Sequence, residues 1–303
     1  MPKTLVVVAG PTAVGKTGLC VRLAQALDTE VVSADSRQLY RELNIGTAKP
    51  TPEEMQGVRH HFIDSHPITE PVSAGQYERE ALEVLNGLFH RKDRVILSGG
   101  TGLYINAVCF GLDDVPQAPP ELRAALMQRL ETEGLGPLQE ELKRLDPVYA
   151  ETADLQNSQR VVRALEVTLS SGRPFSSFRK READWSGTAP RPFQAVFVAL
   201  DRPREDLYDR IDRRMDAMLE RGLVDEVRSL RPFRRLNALQ TVGYREVFGF
   251  LDGDYGYEEM VFLLKRNSRR YAKRQLTWFR NQGDYRWFGG DDLEGVLTYL
   301  KDQ

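Results

Sequence analysis

The 303-residue chain reads as an α/β protein: a parallel sheet with helices on both faces, interrupted by an all-helical insertion. Three observations carry this. Up to Gly100, short apolar runs rich in β-branched residues alternate with stretches of helical period, the pattern of a sheet buried on both sides. A glycine-rich phosphate-loop signature stands at the first strand-to-helix junction. From about residue 115 the strand signal vanishes, and it returns only near residue 193.

The elements follow in order. Thr4 to Val8 is wholly apolar and reads as a buried strand. A helix follows from Gly15 to about Leu27. Glu30 to Ala34 is a second strand, ending at Asp35. Ser73 and Gln76 stand at capping-box spacing before a helix whose apolar positions are Ala81, Leu82, Leu85, Leu88 and Phe89. Arg94 to Ser98 is a third strand, continued by Gly99-Gly100-Thr101-Gly102. Asp113 to Pro120 is a proline-rich connector, Glu121 to about Leu169 is helix after helix, and Ser171 to Pro192 is loop-like. Gln194 to Leu200 is again a buried strand. Helical stretches then cover Arg204 to Gly222, Leu223 to Leu230, and Glu258 to Gln282. The expected division is a core of residues 1–114 and 193–303, with a helical insertion at 115–192.

A net charge of −2 rules out a polycation, so any nucleic-acid surface is a local patch. The two cysteines, Cys20 and Cys109, are far apart, which excludes a disulfide scaffold or a zinc finger. The longest early apolar run, Leu5 to Ala9, is too short for a signal peptide or a membrane span. The expectation is a soluble, cytoplasmic protein with no membrane partner.

Gly10-Pro11-Thr12-Ala13-Val14-Gly15-Lys16-Thr17 matches G-x-x-x-x-G-K-(S/T) in full, after a strand and opening a helix. Such a loop curls its N–H groups toward phosphate oxygens, and the helix N-terminus adds positive potential. Lys16 adds a formal charge, and the Thr17 hydroxyl suits the shell of a Mg²⁺ that bridges two phosphates. The motif does not separate ATP, GTP and an organic diphosphate. No N-K-x-D is present, against a GTPase, and the third strand ends in Ser98-Gly99-Gly100 rather than the aspartate usual in ATPases of this kind.

Asp35 ends the second strand. In open parallel sheets, ligands bind beyond the strands' carboxyl ends, which puts Asp35 at the same crevice as the phosphate loop. It reads equally as a general base and as a turn or helix-capping aspartate.

Lys265 to Arg280 contains Lys265, Arg266, Arg269, Arg270, Lys273, Arg274 and Arg280 and no acid, with Tyr271, Trp278 and Phe279 interleaved. Spacings of three and four gather Arg266, Arg270, Lys273 and Arg274 on one helix surface. Uncompensated like charge on one helix favours an RNA-phosphate surface over a plain solvated face. Arg173, Arg179, Lys180 and Arg181, with Phe175, Phe178 and Trp185, form a weaker basic-aromatic stretch that reads equally as RNA contact and as linker. His60-His61 reads as packing rather than metal binding, since adjacent side chains diverge. Met218, Leu219 and Leu223 read as ordinary helix core.

Seven blocks together resemble the tRNA dimethylallyltransferase family. They are Gly10 to Thr17, Ser33-Ala34-Asp35-Ser36-Arg37-Gln38-Leu39-Tyr40, Gly46-Thr47-Ala48-Lys49-Pro50, His60-His61-Phe62-Ile63-Asp64, Gly99 to Tyr104, Gln159-Arg160-Val161-Val162-Arg163-Ala164-Leu165-Glu166, and Arg269 to Arg280. They appear in order over nearly the whole chain. Phe62 stands where the family usually has Leu, and Ser268 where it usually has Thr.

The resemblance implies a P-loop NTPase-like core and transfer of the dimethylallyl group from dimethylallyl diphosphate to N6 of the adenosine just 3′ of the anticodon. It implies Mg²⁺ as cofactor and dimethylallyl diphosphate and the tRNA anticodon stem-loop as partners; a monomer is the expected working unit. It implies Asp35 as general base, with Lys16, Thr17 and Thr101 on the diphosphate and its Mg²⁺. Asp35, Ser36, Arg37, Gln38 and Thr101 are implied tRNA contacts, together with Arg123, Gln159, Arg160, Val161, Val162 and Arg163. Arg210 and Arg214, one helical turn apart, are candidates for the leaving diphosphate. Arg270 and Arg274 belong to the basic helix. The competing readings are an adenylate dimethylallyltransferase acting on free AMP, ADP or ATP, a small-molecule kinase, and a non-catalytic RNA-binding protein.

Overall fold

The computed structural model describes residues 3–113, 115–179, 191–282 and 284–303. The chain divides into two compact units: Met1–Cys109 with Arg191–Gln303, and Phe110–Pro190. The division falls at Phe110 and Pro190, where the sequence reading put it at 115 and 192.

In the first unit the elements run β1 (Thr4–Ala9), α1 (Lys16–Ala26), β2 (Val31–Ser33), α2 (Pro52–Met55), β3 (His60–His61), α3 (Ala74–Phe89), β4 (Arg94–Gly99) and α4 (Gly102–Phe110). The insertion contributes α5 (Pro120–Glu133), α6 (Leu135–Leu145), α7 (Pro147–Thr152) and α8 (Ser158–Ser171). The first unit resumes with β5 (Gln194–Asp201), α9 (Arg204–Glu220), α10 (Leu223–Ser229), α11 (Tyr244–Asp252), α12 (Tyr257–Asn281), β6 (Arg286–Gly289) and α13 (Leu293–Lys301).

The six strands form one sheet in the order β3-β2-β4-β1-β5-β6, and every described pairing is parallel. In β1, Val6 and Val8 point to the face packed by Leu19 and Leu23 of α1, Ile211 of α9, Ala272 of α12 and Val296 of α13. Leu5 and Val7, on the opposite face, are equally buried, as a run without polar alternation requires. Register levels the carboxyl ends of three strands: Ala9 pairs with Gly99, and Ser33 with Ser98. The phosphate loop, Asp35 and Gly100 therefore leave the sheet along one edge.

Edge strands β3 and β6 and helices α4, α11 and α13 carried no expectation from sequence. A two-residue His-His strand and an Arg-Trp-Phe-Gly strand have no apolar period to read; partners in the sheet define them. The cap at Ser73 is half of the box expected. Ser73 Oγ accepts from Gln76 N at 3.1 Å, but the Gln76 side chain turns to Glu80 at 2.9 Å instead of back to the cap.

The insertion has its own core of Leu126, Leu138, Leu142, Tyr149, Val161, Val162, Ala164 and Leu165. Buried Asp146 caps α7 through Tyr149 N and accepts from Ser176 N at 2.6 Å and Ser176 Oγ at 2.7 Å. No described helix is long and apolar enough to cross a membrane.

Candidate active site

The phosphate loop runs from β1 into α1. Gly15, the residue before the helix, has φ 116°, a conformation that glycine adopts without a Cβ penalty. Ala13 also lies at positive φ, 65°, and Arg210 Nε holds its carbonyl at 2.9 Å. One turn further along α9, Arg214 Nη1 donates to Thr12 Oγ1 at 3.1 Å. Both guanidinium groups thus sit on the loop. Burial lowers the Arg214 pKa, while Asp35 opposes that shift. Arg202 at the end of β5 donates to Val14 O at 2.7 Å.

Lys16 Nζ donates to Gly10 O at 2.9 Å and Pro11 O at 2.8 Å. Burial brings its pKa down to about 8; Asp35 pulls it up and Arg214 pushes it further down. Thr17 is exposed on the first turn of α1.

Asp35 fulfils the turn reading through one oxygen. Its Oδ1 accepts from Arg37 N at 2.9 Å and Gln38 N at 3.2 Å. No hydrogen bond from the described protein goes to Oδ2, so turn and general base are compatible roles for one carboxylate. Thr101 is tied to the same turn: its hydroxyl accepts from Ser36 N at 3.1 Å and lies 3.2 Å from Ser36 Oγ. Arg37 Nη1 donates to Ser36 O at 3.2 Å.

A cavity of about 540 Å³ joins these groups. Lys16, Thr17, Arg210 and Arg214 line it together with Asp35, Arg37 and Gln38, and Met215, Met218, Val242 and Tyr271 complete its wall. Thr101 is not among the lining residues.

The basic helix α12 departs from expectation. Lys265 pairs with Asp216 at 2.7 Å, Arg269 with Asp212 at 2.6 Å and Arg280 with Asp201 at 2.8 Å. Carboxylates on α9 and β5 therefore compensate three of the seven charges. Arg266, Arg270, Lys273 and Arg274 have no ion pair among the described residues, and the last three are exposed. The interleaved aromatics are not a stacking surface. Phe279 is buried, Tyr271 lines the cavity, and Trp278 packs on Gly102, where a Cβ would come within 1.9 Å of the indole nitrogen.

In the insertion, Val161 and Val162 are fully buried in its core, which corrects the expectation that they touch RNA. The helix period turns them inward and leaves Gln159 and Arg160 exposed. Arg123 is held by Glu166 at 2.9 Å and Gln159 at 3.1 Å. Arg173 and Arg179 lie over the rings of Phe178 and Tyr149. Lys180, Arg181 and Trp185 lie outside the described residues. His61 Nε2 meets Glu30 Oε2 at 2.7 Å, and His60 Nδ1 meets Val58 O at 2.9 Å.

Sequence reading gave no part to Gln275, although it is central. From α12 its Oε1 accepts from Thr12 N at 2.9 Å and its Nε2 donates to Gly100 O at 3.0 Å. The signal was present: the buried stripe of α12 is Met260, Leu264, Ser268, Ala272, Gln275 and Phe279, and a polar residue on an apolar stripe needs a partner.

A protein-family model described as IPP transferase matches residues 38–282. A tRNA dimethylallyltransferase of Cytophaga hutchinsonii is 52% identical over 99% of this chain and 97% of its own length. The tRNA isopentenylpyrophosphate transferase structure from Bacillus halodurans is similar with TM-score 0.71 and 39% identity, covering 99% of this chain and 96% of that one. A eukaryotic dimethylallyltransferase acting on tRNA matches with TM-score 0.77 and 27% identity, over 96% of this chain and 75% of that one. The family model spans most of the chain and these relatives match it nearly end to end: the chain belongs to the IPP transferase family.

Proposed function

We propose that this protein transfers the dimethylallyl group of dimethylallyl diphosphate to N6 of the adenosine just 3′ of the anticodon in tRNA. The observation that carries the reading is a single cavity lined by the phosphate loop, by the guanidinium groups of Arg210 and Arg214 that bind the loop, and by the Asp35 carboxylate. The allylic C–O bond breaks, and the diphosphate keeps the electron pair against Lys16, the loop amides, Arg210 and Arg214. N6 forms the new bond to carbon, and its proton passes to Asp35 Oδ2. Thr101, engaged with Ser36, holds the Asp35 turn. An adenine presented from a splayed anticodon loop reaches such a site more cheaply than one in a duplex.

The hard oxygen donors at the loop fit Mg²⁺. The exposed Thr17 hydroxyl, which lines the cavity, would hold it, and the ion would supply charge neutralisation to a bound diphosphate. Exposed Arg270, Lys273 and Arg274 on α12 are proposed phosphate contacts, as are Gln159, Arg160, Arg163 and Arg123 on the insertion. The protein works in the cytoplasm with its RNA substrate.

The test is incubation with labelled dimethylallyl diphosphate, with bulk tRNA and AMP in parallel arms. Label in tRNA, recovered as N6-dimethylallyladenosine after digestion, is the expected result. Label in AMP alone would make the protein an adenylate dimethylallyltransferase. Label in neither acceptor would defeat the transfer reading.

A further inference from the structure

Glu226 stands on α10, outside the lining of the cavity, and one loop fills most of its carboxylate. Its Oε2 accepts from Asn44 N at 3.1 Å and Ile45 N at 2.7 Å. Its Oε1 accepts from Gly46 N at 3.0 Å and Tyr244 Oη at 2.7 Å. Three consecutive amides converging on one anion form a nest, in which loop and carboxylate immobilise each other. The Tyr244 ring lies against Gly46, where a Cβ would come within 2.6 Å of Cζ. Lys49 secures the same loop from inside: Nζ donates to Tyr40 O at 2.8 Å and Asn44 Oδ1 at 2.9 Å, and pairs with Asp64.

The loop in turn holds Gln38. Gln38 Nε2 donates to Thr47 O at 3.1 Å and Ala48 O at 3.2 Å, so both amide hydrogens are engaged. Gln38 Oε1 accepts nothing from the described protein and is not buried. Gln38, Thr47 and Ala48 line the cavity with Asp35.

We propose that Glu226 is a positioning residue for base selection. By clamping Asn44 to Gly46 it holds the Thr47 and Ala48 carbonyls, and these make Gln38 present its oxygen, not its NH₂, to the substrate. An unrestrained glutamine can turn its amide and serve a donor or an acceptor. Held in this way, Gln38 Oε1 and Asp35 Oδ2 are both acceptors, a pair that favours an exocyclic amine and opposes a carbonyl at the same position. The inference rests on the acceptor being adenine N6, as proposed above.

The test uses two synthetic anticodon stem-loops that differ only in adenosine or inosine just 3′ of the anticodon. Affinities are read by fluorescence anisotropy, and turnover is followed on the adenosine form. The wild-type protein prefers adenosine by about ten- to a hundredfold, the range of one or two hydrogen bonds lost from a buried site. Glu226→Gln sets an NH₂ against the loop amides; its preference collapses to within about threefold, while KM for dimethylallyl diphosphate moves by less than about twofold. Glu226→Asp keeps the charge at shorter reach and loses part of the preference with the same split, and it stands in if the glutamine variant does not fold. Tyr244→Phe removes one of four bonds and keeps most of the preference. An unchanged adenosine preference in Glu226→Gln or Glu226→Asp overturns the inference, as does an equal loss toward inosine, adenosine and diphosphate. A wild-type protein that binds with the stated preference but transfers nothing to the adenosine stem-loop defeats the transfer reading and leaves the positioning role standing; absence of preference in the wild type defeats the positioning role.

Discussion

Gln275 Oε1 accepts a hydrogen bond from Thr12 N at 2.9 Å, across most of the length of the chain, and couples helix α12 to the phosphate loop. The same amide donates to Gly100 O, so one buried side chain joins the ends of β1 and β4. Gln275→Leu leaves a loop amide and a carbonyl without partners, a loss of about 1–3 kcal/mol for each group that stays dry. The expected outcome is a lower unfolding midpoint and a KM for dimethylallyl diphosphate raised about tenfold. Gln275→Glu keeps the Thr12 bond, yet adds negative charge beside the phosphate site, and raises KM further. Steady-state kinetics beside thermal denaturation checks both, and an unchanged KM in the leucine variant removes Gln275 from the site.

Lys16 gives opposite pH signatures for stability and activity. Its folded pKa is about 8 against an ordinary 10.5, with burial the main cause. Between those values the unfolded chain binds more protons at this residue, so its contribution to stability rises with pH through that window. Activity falls there instead, because losing the ammonium strips the loop of a cation. The kcat/KM for dimethylallyl diphosphate is expected to decline along an alkaline limb with apparent pKa near 8, and Lys16→Arg, which stays charged, loses that limb. Lys16→Ala abolishes turnover and leaves tRNA affinity intact. Near wild-type turnover of the alanine variant at saturating substrates defeats the phosphate assignment.

Asp35→Asn separates the two oxygens of one carboxylate. The amide oxygen can keep the bonds to Arg37 N and Gln38 N, so the turn survives. The NH₂ then takes the place of Oδ2 and cannot accept a proton. Turnover is expected to fall by roughly 10²- to 10⁴-fold, with little change in the dissociation constant for tRNA. Normal turnover with weakened tRNA binding is the result that makes Asp35 a recognition residue.

Salt dependence distinguishes the free charges of α12 from the paired ones. Replacing Arg270 and Arg274 together by Gln is expected to flatten the slope of log affinity against log salt by about 1.4 to 1.8, the share of two phosphate contacts. Replacing Lys265 and Arg269, held by Asp216 and Asp212, leaves the slope nearly unchanged. Anisotropy titrations of tRNA at several salt concentrations measure both. A larger change from the second pair moves the RNA surface off the exposed strip.

Much of this molecule is legible in local pattern. Apolar β-branched runs mark β1, β2, β4 and β5, because a strand buried on both faces leaves no room for alternation. The phosphate loop announces itself through glycine spacing, and the end of β2 puts Asp35 at its crevice, because ligand sites of parallel sheets lie beyond the carboxyl ends of strands. The helical character of the insertion likewise follows from periodicity. Which charges stay free, and which polar atoms face the cavity, depends on contacts between residues distant in the chain. Nothing near Lys265 or Arg269 in sequence discloses that α9 brings Asp216 and Asp212 against them. The inward turn of Val161 and Val162 was readable from helix period, whereas the closing of Trp278 on Gly102 needed packed elements to become visible. The bridge of Gln275 and the clamp of Glu226 on Asn44, Ile45 and Gly46 are long-range hydrogen bonds. Local propensity encodes the strand or helix that carries a side chain; the partner that orients it is set only when separate elements pack together and every buried polar group must find a mate.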